Sequence, residues 1–370
     1  MRADAAGVRL FLCGDVMTGR GIDQLLPHPA PPRLFEAYVQ SAADYVRLAE
    51  ARCGPLGRGL DAGYPWGDAL AVLEQMRPAL RIVNLETAVT VSEEAQPGKG
   101  IHYRMHPANA GCLSRAGIDC CVLANNHVLD WGVVGLLETL RTLQAAHLRF
   151  AGAGRNAGEA AAPARLALPG GGRVLVFGVA AASSGVPPSW AATARRPGVN
   201  YLETVSPASA AWLAGAIAPQ RQPGDLVVLS IHWGANWSPA VPPAHRDFAR
   251  ELIRSGVVDV VHGHSSHHVL PGEFMDGRLV LYGCGDFIND YEGIGGHEAF
   301  RPDLALMYFP RLDRDTGKVE QLLLVPMRQR RLRLERAGDA DVAALADMLQ
   351  AHPFGGRVGL RPDGVLELAG

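Results

Sequence analysis

Leu229-Ser-Ile-His-Trp-Gly234 and, a short way further along, Val260-Val-His-Gly-His-Ser-Ser-His-His268 decide how this chain is read. Each begins as an apolar run of strand type and ends abruptly in side chains able to bind a metal. A strand delivers its last residues to the carboxyl edge of a sheet, where α/β folds keep their ligands. Three earlier segments end the same way: Leu10-Phe-Leu-Cys-Gly-Asp15, Ile82-Val-Asn-Leu-Glu86 and Cys121-Val-Leu-Ala-Asn-Asn-His127. So many strand ends offering Asp, Glu, Asn or His predict one shared site around which the chain is organised.

Strands followed by helices dominate the first half. Val8–Cys13, Arg81–Leu85 and Ile118–Leu123 read as buried strands, and Asp68–Met76 as a helix. Gly132–His147 reads as an amphipathic helix with Val133, Leu136, Leu137, Leu140 and Leu143 on one face. Arg165–Ala180 reads as a hairpin around Gly170-Gly-Gly172. Leu226–Ile231, Val257–Val261 and Leu279–Tyr282 follow as strands, with helices at Pro207–Ile217 and Pro243–Ser255. The fold class is therefore α/β, two packed sheets with helices outside, in a single domain over residues 1–370. The Pro- and Gly-rich stretch 24–67, with a helix-like piece at Leu34–Glu50, reads as an insertion over the sheet edge. Residues 304–370 read as an antiparallel and helical tail: strands Leu304–Phe309 and Val319–Val325, then helix Asp339–Gln350. The insertion and the long loop Ala181–Tyr201 are expected to wall a substrate groove.

Bulk composition narrows the classes. A net charge of −2 leaves no basic footprint, so no nucleic-acid partner is expected. No apolar run approaches the length of a membrane span, and neither a membrane partner nor a secretory leader is expected. The six cysteines lack CxxC spacing, and Cys120 and Cys121 point to opposite sides of one strand. Free buried thiols in a reducing cytoplasm are the expectation.

The polar strand ends carry the chemistry. Asp15 follows Gly14, which lets backbone approach a ligand closely, although a lone Gly-Asp is more often a turn or a helix cap. Glu86 closes an apolar strand, where a carboxylate needs a cation or several donors. Asn126 offers a neutral carbonyl oxygen to a metal, and His127 serves as ligand or proton shuttle. Asp130 is placed either to orient His127 or to cap the following helix. His232 alone would pass for a satisfied core histidine. His262, His264, His267 and His268 together exceed what packing requires, which points to metal binding or acid/base work. Asp286 repeats the strand-then-Gly-Asp pattern, and Asp290, Tyr291 and Glu292 read as supporting or loop residues.

Taken in order, these residues resemble the calcineurin-like metallophosphoesterase arrangement. They are more closely similar to the CapA family, named for poly-γ-glutamate capsule synthesis proteins. The resemblance rests on Gly14-Asp-Val-Met17, Asn84-Leu-Glu86, Ala124-Asn-Asn-His127 with Asp130 and Gly132, His232-Trp-Gly234, Gly263-His-Ser-Ser-His-His268 and Tyr282-Gly-Cys-Gly-Asp-Phe287. It implies a calcineurin-like αββα sandwich of two mixed sheets flanked by helices. Two positions depart from the phosphoesterase pattern: Met17 stands where an imidazole is usual, and Glu86 where a bridging Asp is usual. Fewer nitrogens and more oxygens favour a hard divalent cation such as Ca²⁺, Mg²⁺ or Mn²⁺ over a zinc pair.

Capsule-type members typically carry a membrane anchor, and none is read here. The resemblance then points to the CapA-type epimerases of lasso peptide biosynthesis, which invert the Cα of the C-terminal residue of a ribosomal precursor peptide. On that reading Asp15, Glu86, Asn126, His232, His264 and His267 hold the metal. His127 with Asp130 forms one acid/base pair, and His264, His267 or His268 with Asp15 or Asp286 forms the other. The rivals are hydrolysis of a phosphoester or γ-glutamyl amide, and a non-catalytic polymer-binding accessory role.

Overall fold

The computed structural model describes residues 7–351 and 357–369. The first sheet is built on β1 (Val8–Val16), β2 (Leu80–Leu85), β3 (Cys120–Val122) and β4 (Arg149–Ala151), parallel and side by side in that order. Between these strands lie α1 (Ala42–Cys53), α2 (Ala69–Met76) and α3 (Gly132–Ala145). The second sheet begins with the hairpin β5 (Ala164–Ala167) and β6 (Arg173–Ala181). It continues through α4 (Pro207–Ile217), β7 (Asp225–His232), α5 (Pro243–Arg254), β8 (Val260–His264), β9 (Gly272–Met275) and β10 (Arg278–Leu281). Its β6, β7, β8 and β10 are parallel neighbours, with β9 antiparallel at the end. The chain then returns to the first sheet. There β11 (Asp286–Ile288) lies parallel to β1, and β12 (Leu304–Leu312) and β13 (Val319–Arg330) extend the sheet antiparallel on the side of β1 away from β2.

Burial explains why two sheets form. Along β6, Val174 and Val176 join the central core with the first sheet's Leu10, Leu12 and Val122. The alternate residues Leu175, Phe177 and Val179 pack with Leu213 and Ile217 of α4 and with Phe248 and Leu252 of α5. A parallel strand covered on both faces reads as a near-continuous apolar run, which is how these segments look in the sequence. Across the sandwich, Val72 and Leu73 of α2 and Leu136, Leu140 and Leu143 of α3 join the first sheet's apolar cluster. The result is the αββα arrangement of mixed sheets flanked by helices.

Local departures have local causes. The insertion's helix starts at Ala42 rather than Leu34, because the Ser41 hydroxyl caps it by accepting the Ala43 N–H. Val133 sits exposed in the first turn of α3, off the face that Leu136, Leu140 and Leu143 bury. The expected polar loop after Glu86 contains a short parallel pairing of Ala88–Val89 with Arg104–Met105. The tail's strands run longer than expected, and its residues 352–356 and 370 lie outside the described residues. All six cysteines are free. Among the described residues no helix is long and apolar enough to cross a membrane.

Candidate metal centre

Close approach of two strand ends starts the site. Asp15 lies opposite Asp286 in the parallel pairing of β1 and β11, and its N–H donates to the Gly285 carbonyl at 2.9 Å. A Cβ on Gly14 would run into that same carbonyl, so only glycine lets the two segments close. The Asp15 side chain is fully buried. Its Oδ1 accepts from Asn84 Nδ2 at 2.7 Å and its Oδ2 from the Ser265 N–H at 3.1 Å. Ser265 takes a φ of 100° to make that bond, a conformation a side chain rarely adopts.

The second sheet contributes the imidazoles. β7 and β8 pair in register, setting His232 opposite His264 with their Nδ1 atoms 2.8 Å apart. His232 Nε2 lies 3.0 Å from Asn126 Oδ1, which favours the proton on Nε2 and leaves Nδ1 facing His264 as a lone-pair donor. His264 Nε2 sits on Ser230 Oγ at 2.9 Å. Asp15, His232 and His264 each offer one ligand atom, and these lie within 4.8 Å of one another. Glu86, just past β2, places Oε1 3.6 Å from His232 Nε2 and 3.7 Å from His127 Nε2. Its Oε2 is buried without a hydrogen-bond partner.

Charge balance tests whether these residues fit a metal. Burial, then the charge of Asp286, raises the Asp15 carboxyl to about 7. Burial and the charge of Asp15 push Glu86 well above the usual carboxylate range. Burial holds His232 and His264 well below the usual imidazole range, so both rings are neutral. Asp15 and Glu86 crowd each other enough to share a proton, and facing neutral imidazoles they can both ionise only with added positive charge at their centre. The donor set fits a divalent cation, with Asp15, His232 and His264 as the ligands.

Two imidazole–aspartate pairs adjoin this centre. His127 Nδ1 lies 2.6 Å from Asp130 Oδ2. Asp130 caps nothing: α3 starts behind Trp131 without a side-chain cap, and Asp130 instead accepts from the Tyr103 N–H at 2.6 Å and from Lys99 Nζ at 2.5 Å. The second pair is His267 Nδ1 with Asp286 Oδ1 at 2.8 Å. Burial lowers His127 to about 4, with Lys99 adding to the shift and Asp130 opposing it. Burial also acts downward on His267, yet the charge and hydrogen bond of Asp286 outweigh it and the ring is shifted upward. One pair thus holds a neutral ring and the other favours a protonated one.

Of the expected ligands, Asn126 orients His232 and His267 belongs to Asp286, while Glu86 lies against His232 and His127. His268 stays apart from the aspartates: Nε2 accepts the Ser238 N–H at 3.2 Å, Nδ1 meets the Val269 carbonyl, and the ring stacks on Trp237. His262 is an inter-sheet tie, with Nε2 2.7 Å from the Cys13 carbonyl of β1. Met17 is buried and brings sulfur where an imidazole is usual. Sequence reading gave no role to Asn84, Lys99, Tyr103 or Ser265. Asn84 and Ser265 fall inside the motifs that carry the resemblance, and Lys99 is one of two lysines in a chain whose other basic residues are arginines.

Comparison with known proteins places the chain in a family. A family model described as bacterial capsule synthesis protein PGA_cap matches residues 9–291, from β1 to the segment after Asp286. A probable polyglutamine synthesis accessory protein of Mycobacterium tuberculosis is 44% identical over 98% of this chain and 96% of its own length. The PGA biosynthesis protein CapA of Bacillus subtilis is 27% identical over 83% of this chain and 68% of its own. The capsule biosynthesis protein CapA of Bacillus anthracis is 26% identical over 52% and 45%. The family match spans every strand end that builds the centre, and by it the chain belongs to the bacterial capsule synthesis protein PGA_cap family.

Proposed function

We propose that this chain is a metal-dependent acid/base enzyme that inverts the Cα bearing the terminal carboxylate of a peptide-like chain. One observation carries the reading: His127, held by Asp130, lies against Glu86, and His267, held by Asp286, lies beside Asp15 on the same buried centre. Inversion needs a base on one side of the Cα and an acid on the other, and unlike protonation of the two rings supplies both. His127 would take the proton at Nε2, since Nδ1 is held by Asp130, and His267, charged by Asp286, would return one. A bound divalent cation would supply positive charge beside the substrate carboxylate, where negative charge grows as the proton leaves. Among the hard cations, Mn²⁺ best tolerates two imidazoles with a carboxylate.

The relatives' printed roles in capsule and polyglutamine synthesis favour an anionic polyamide as the substrate over the precursor of a lasso peptide. The free cysteines support a reducing, cytoplasmic setting. A second reading, hydrolysis of a γ-glutamyl amide, is favoured by those same roles. Incubating an oligo-γ-glutamyl peptide with the Mn²⁺-loaded protein in D₂O separates them. Deuterium at the terminal Cα with a changed D/L ratio is the expected result. Shortened, unlabelled oligomers would place hydrolysis first, and an unchanged peptide would leave a binding role.

A further inference from the structure

The segment Asp286–Tyr291 is held at nearly every step. Asp286 pairs with His267, and the Asn289 amide donates to Asp286 Oδ2 at 2.8 Å while its carbonyl oxygen accepts the Tyr291 N–H at 3.0 Å. Asp290 is gripped by the buried Arg20 through Nη2 at 2.5 Å and Nε at 3.1 Å, and it accepts the Gly21 N–H at 2.8 Å. This leaves the Tyr291 side chain aimed between the two imidazole–aspartate pairs. Its ring lies edge-on to His267, with centroids 5.4 Å apart, and its hydroxyl receives a hydrogen bond from Tyr103 at 3.1 Å. Tyr103 in turn packs edge-on to His127 at 4.6 Å. A tyrosine pair therefore spans the gap between the two bases.

The Tyr291 hydrogen has a poor partner. The Tyr103 hydroxyl is the donor between the two, so the Tyr291 proton points elsewhere, to the Met17 sulfur at 3.9 Å. A thioether is a weak acceptor. Tyr103 is fully buried, whereas Tyr291 keeps part of its surface open. A hydroxyl that already accepts a hydrogen bond is a stronger donor, because the chain polarises.

We propose that the Tyr291 hydroxyl is a further catalytic group, the hydrogen-bond donor to the substrate oxygen on which negative charge develops. The assignment rests on the acid/base reading above and deepens it. Met17 offers that hydroxyl only its sulfur, so the hydrogen is left for a stronger acceptor. No proton is transferred from the tyrosine. The hydroxyl donates throughout, and desolvation keeps it protonated well above the usual phenol range.

The test is Tyr291→Phe, with Tyr103→Phe beside it, in the Mn²⁺-loaded protein. Losing one pre-aimed donor should lower kcat about 10- to 100-fold, with KM, metal content and Tm near wild type. Tyr103→Phe, which removes only the polarising bond, should cost less. Wild-type kcat in Tyr291→Phe overturns the proposal, as does a loss that lies wholly in KM or follows loss of metal. A second measurement is independent of turnover: NMR of protein labelled at tyrosine Cζ, with the Tyr291 signal assigned by its absence from Tyr291→Phe. Saturating oligo-γ-glutamyl peptide should shift that signal. A signal the peptide leaves unmoved overturns the assignment, even if the protein proves to be an epimerase. A shifted signal without epimerisation would retain the donor and discard the reaction.

Discussion

Asp130 satisfies three donors at once: His127 Nδ1, Lys99 Nζ and the Tyr103 N–H. Lys99 Nζ also lies 2.9 Å from His127 Nδ1, so the ammonium and the imidazole compete for one carboxylate. Such competition keeps the imidazole proton-poor, because a second positive charge at that distance is costly in a buried site. Arginine would bring a larger fork that never gives up its charge. Lys99→Met should remove a downward influence on His127, so the ring titrates higher and the acid limb of the pH–rate profile moves to higher pH. Lys99→Arg should fit poorly, with a rate loss of about 10²-fold, the lower end of what a disturbed general base costs. An acid limb unchanged in Lys99→Met would exclude this role for the lysine.

The elements that meet at the centre do so through glycine and register rather than through any long-range signal. Gly14→Ala should force β1 away from the Gly285 carbonyl, lowering stability by about 1–3 kcal/mol, the usual cost of overpacking. It should also lower metal stoichiometry, because Asp15 moves with the strand. A variant with wild-type Tm and metal content would show that the contact relaxes freely. Register also divides what was legible in the chain from what was not. Asp15, His232 and His264 could be read because each ends a buried run, and period-two burial on both faces marks strands of an enclosed sheet. Lys99, Tyr103 and Ser265 could not be assigned roles, because they come from loops whose positions depend on tertiary packing. His262 and His268 illustrate the converse. They share the histidine cluster's spacing, yet His262 lies one pleat short of the strand end on the face of His264 and reaches the Cys13 carbonyl, while the turn after β8 sends His268 to Trp237.

At the scale of the whole molecule, the two sheets and their outer helices bury histidines outside the ligand set, and these set how the fold responds to acid. His245 of α5 stacks on Trp233 with ring centroids 4.2 Å apart, and its Nδ1 is buried without a partner. His262 joins the sheets through Cys13. Burial lowers both from 6.5 to about 4. A ring whose folded pKa lies below its unfolded value favours the native state while it is neutral. That contribution is complete above pH 6.5, shrinks as pH falls, and is gone below about 4. Asp15 acts in the opposite sense, since its raised carboxyl is relieved as it protonates below about 7. The histidine contribution is therefore isolated by substitution rather than by the wild-type curve alone. His245→Phe keeps an aromatic ring on Trp233 and removes the titration, so its Tm should fall less steeply than wild type between pH 6.5 and 4. The difference should grow toward pH 4 to a few kcal/mol, on the order of 1.4 kcal/mol for each tenfold loss of the ring's proton affinity on folding. Parallel Tm curves across that window would mean that His245 stays neutral on unfolding or is already wet in the native state, and acid sensitivity would have to come from the metal centre.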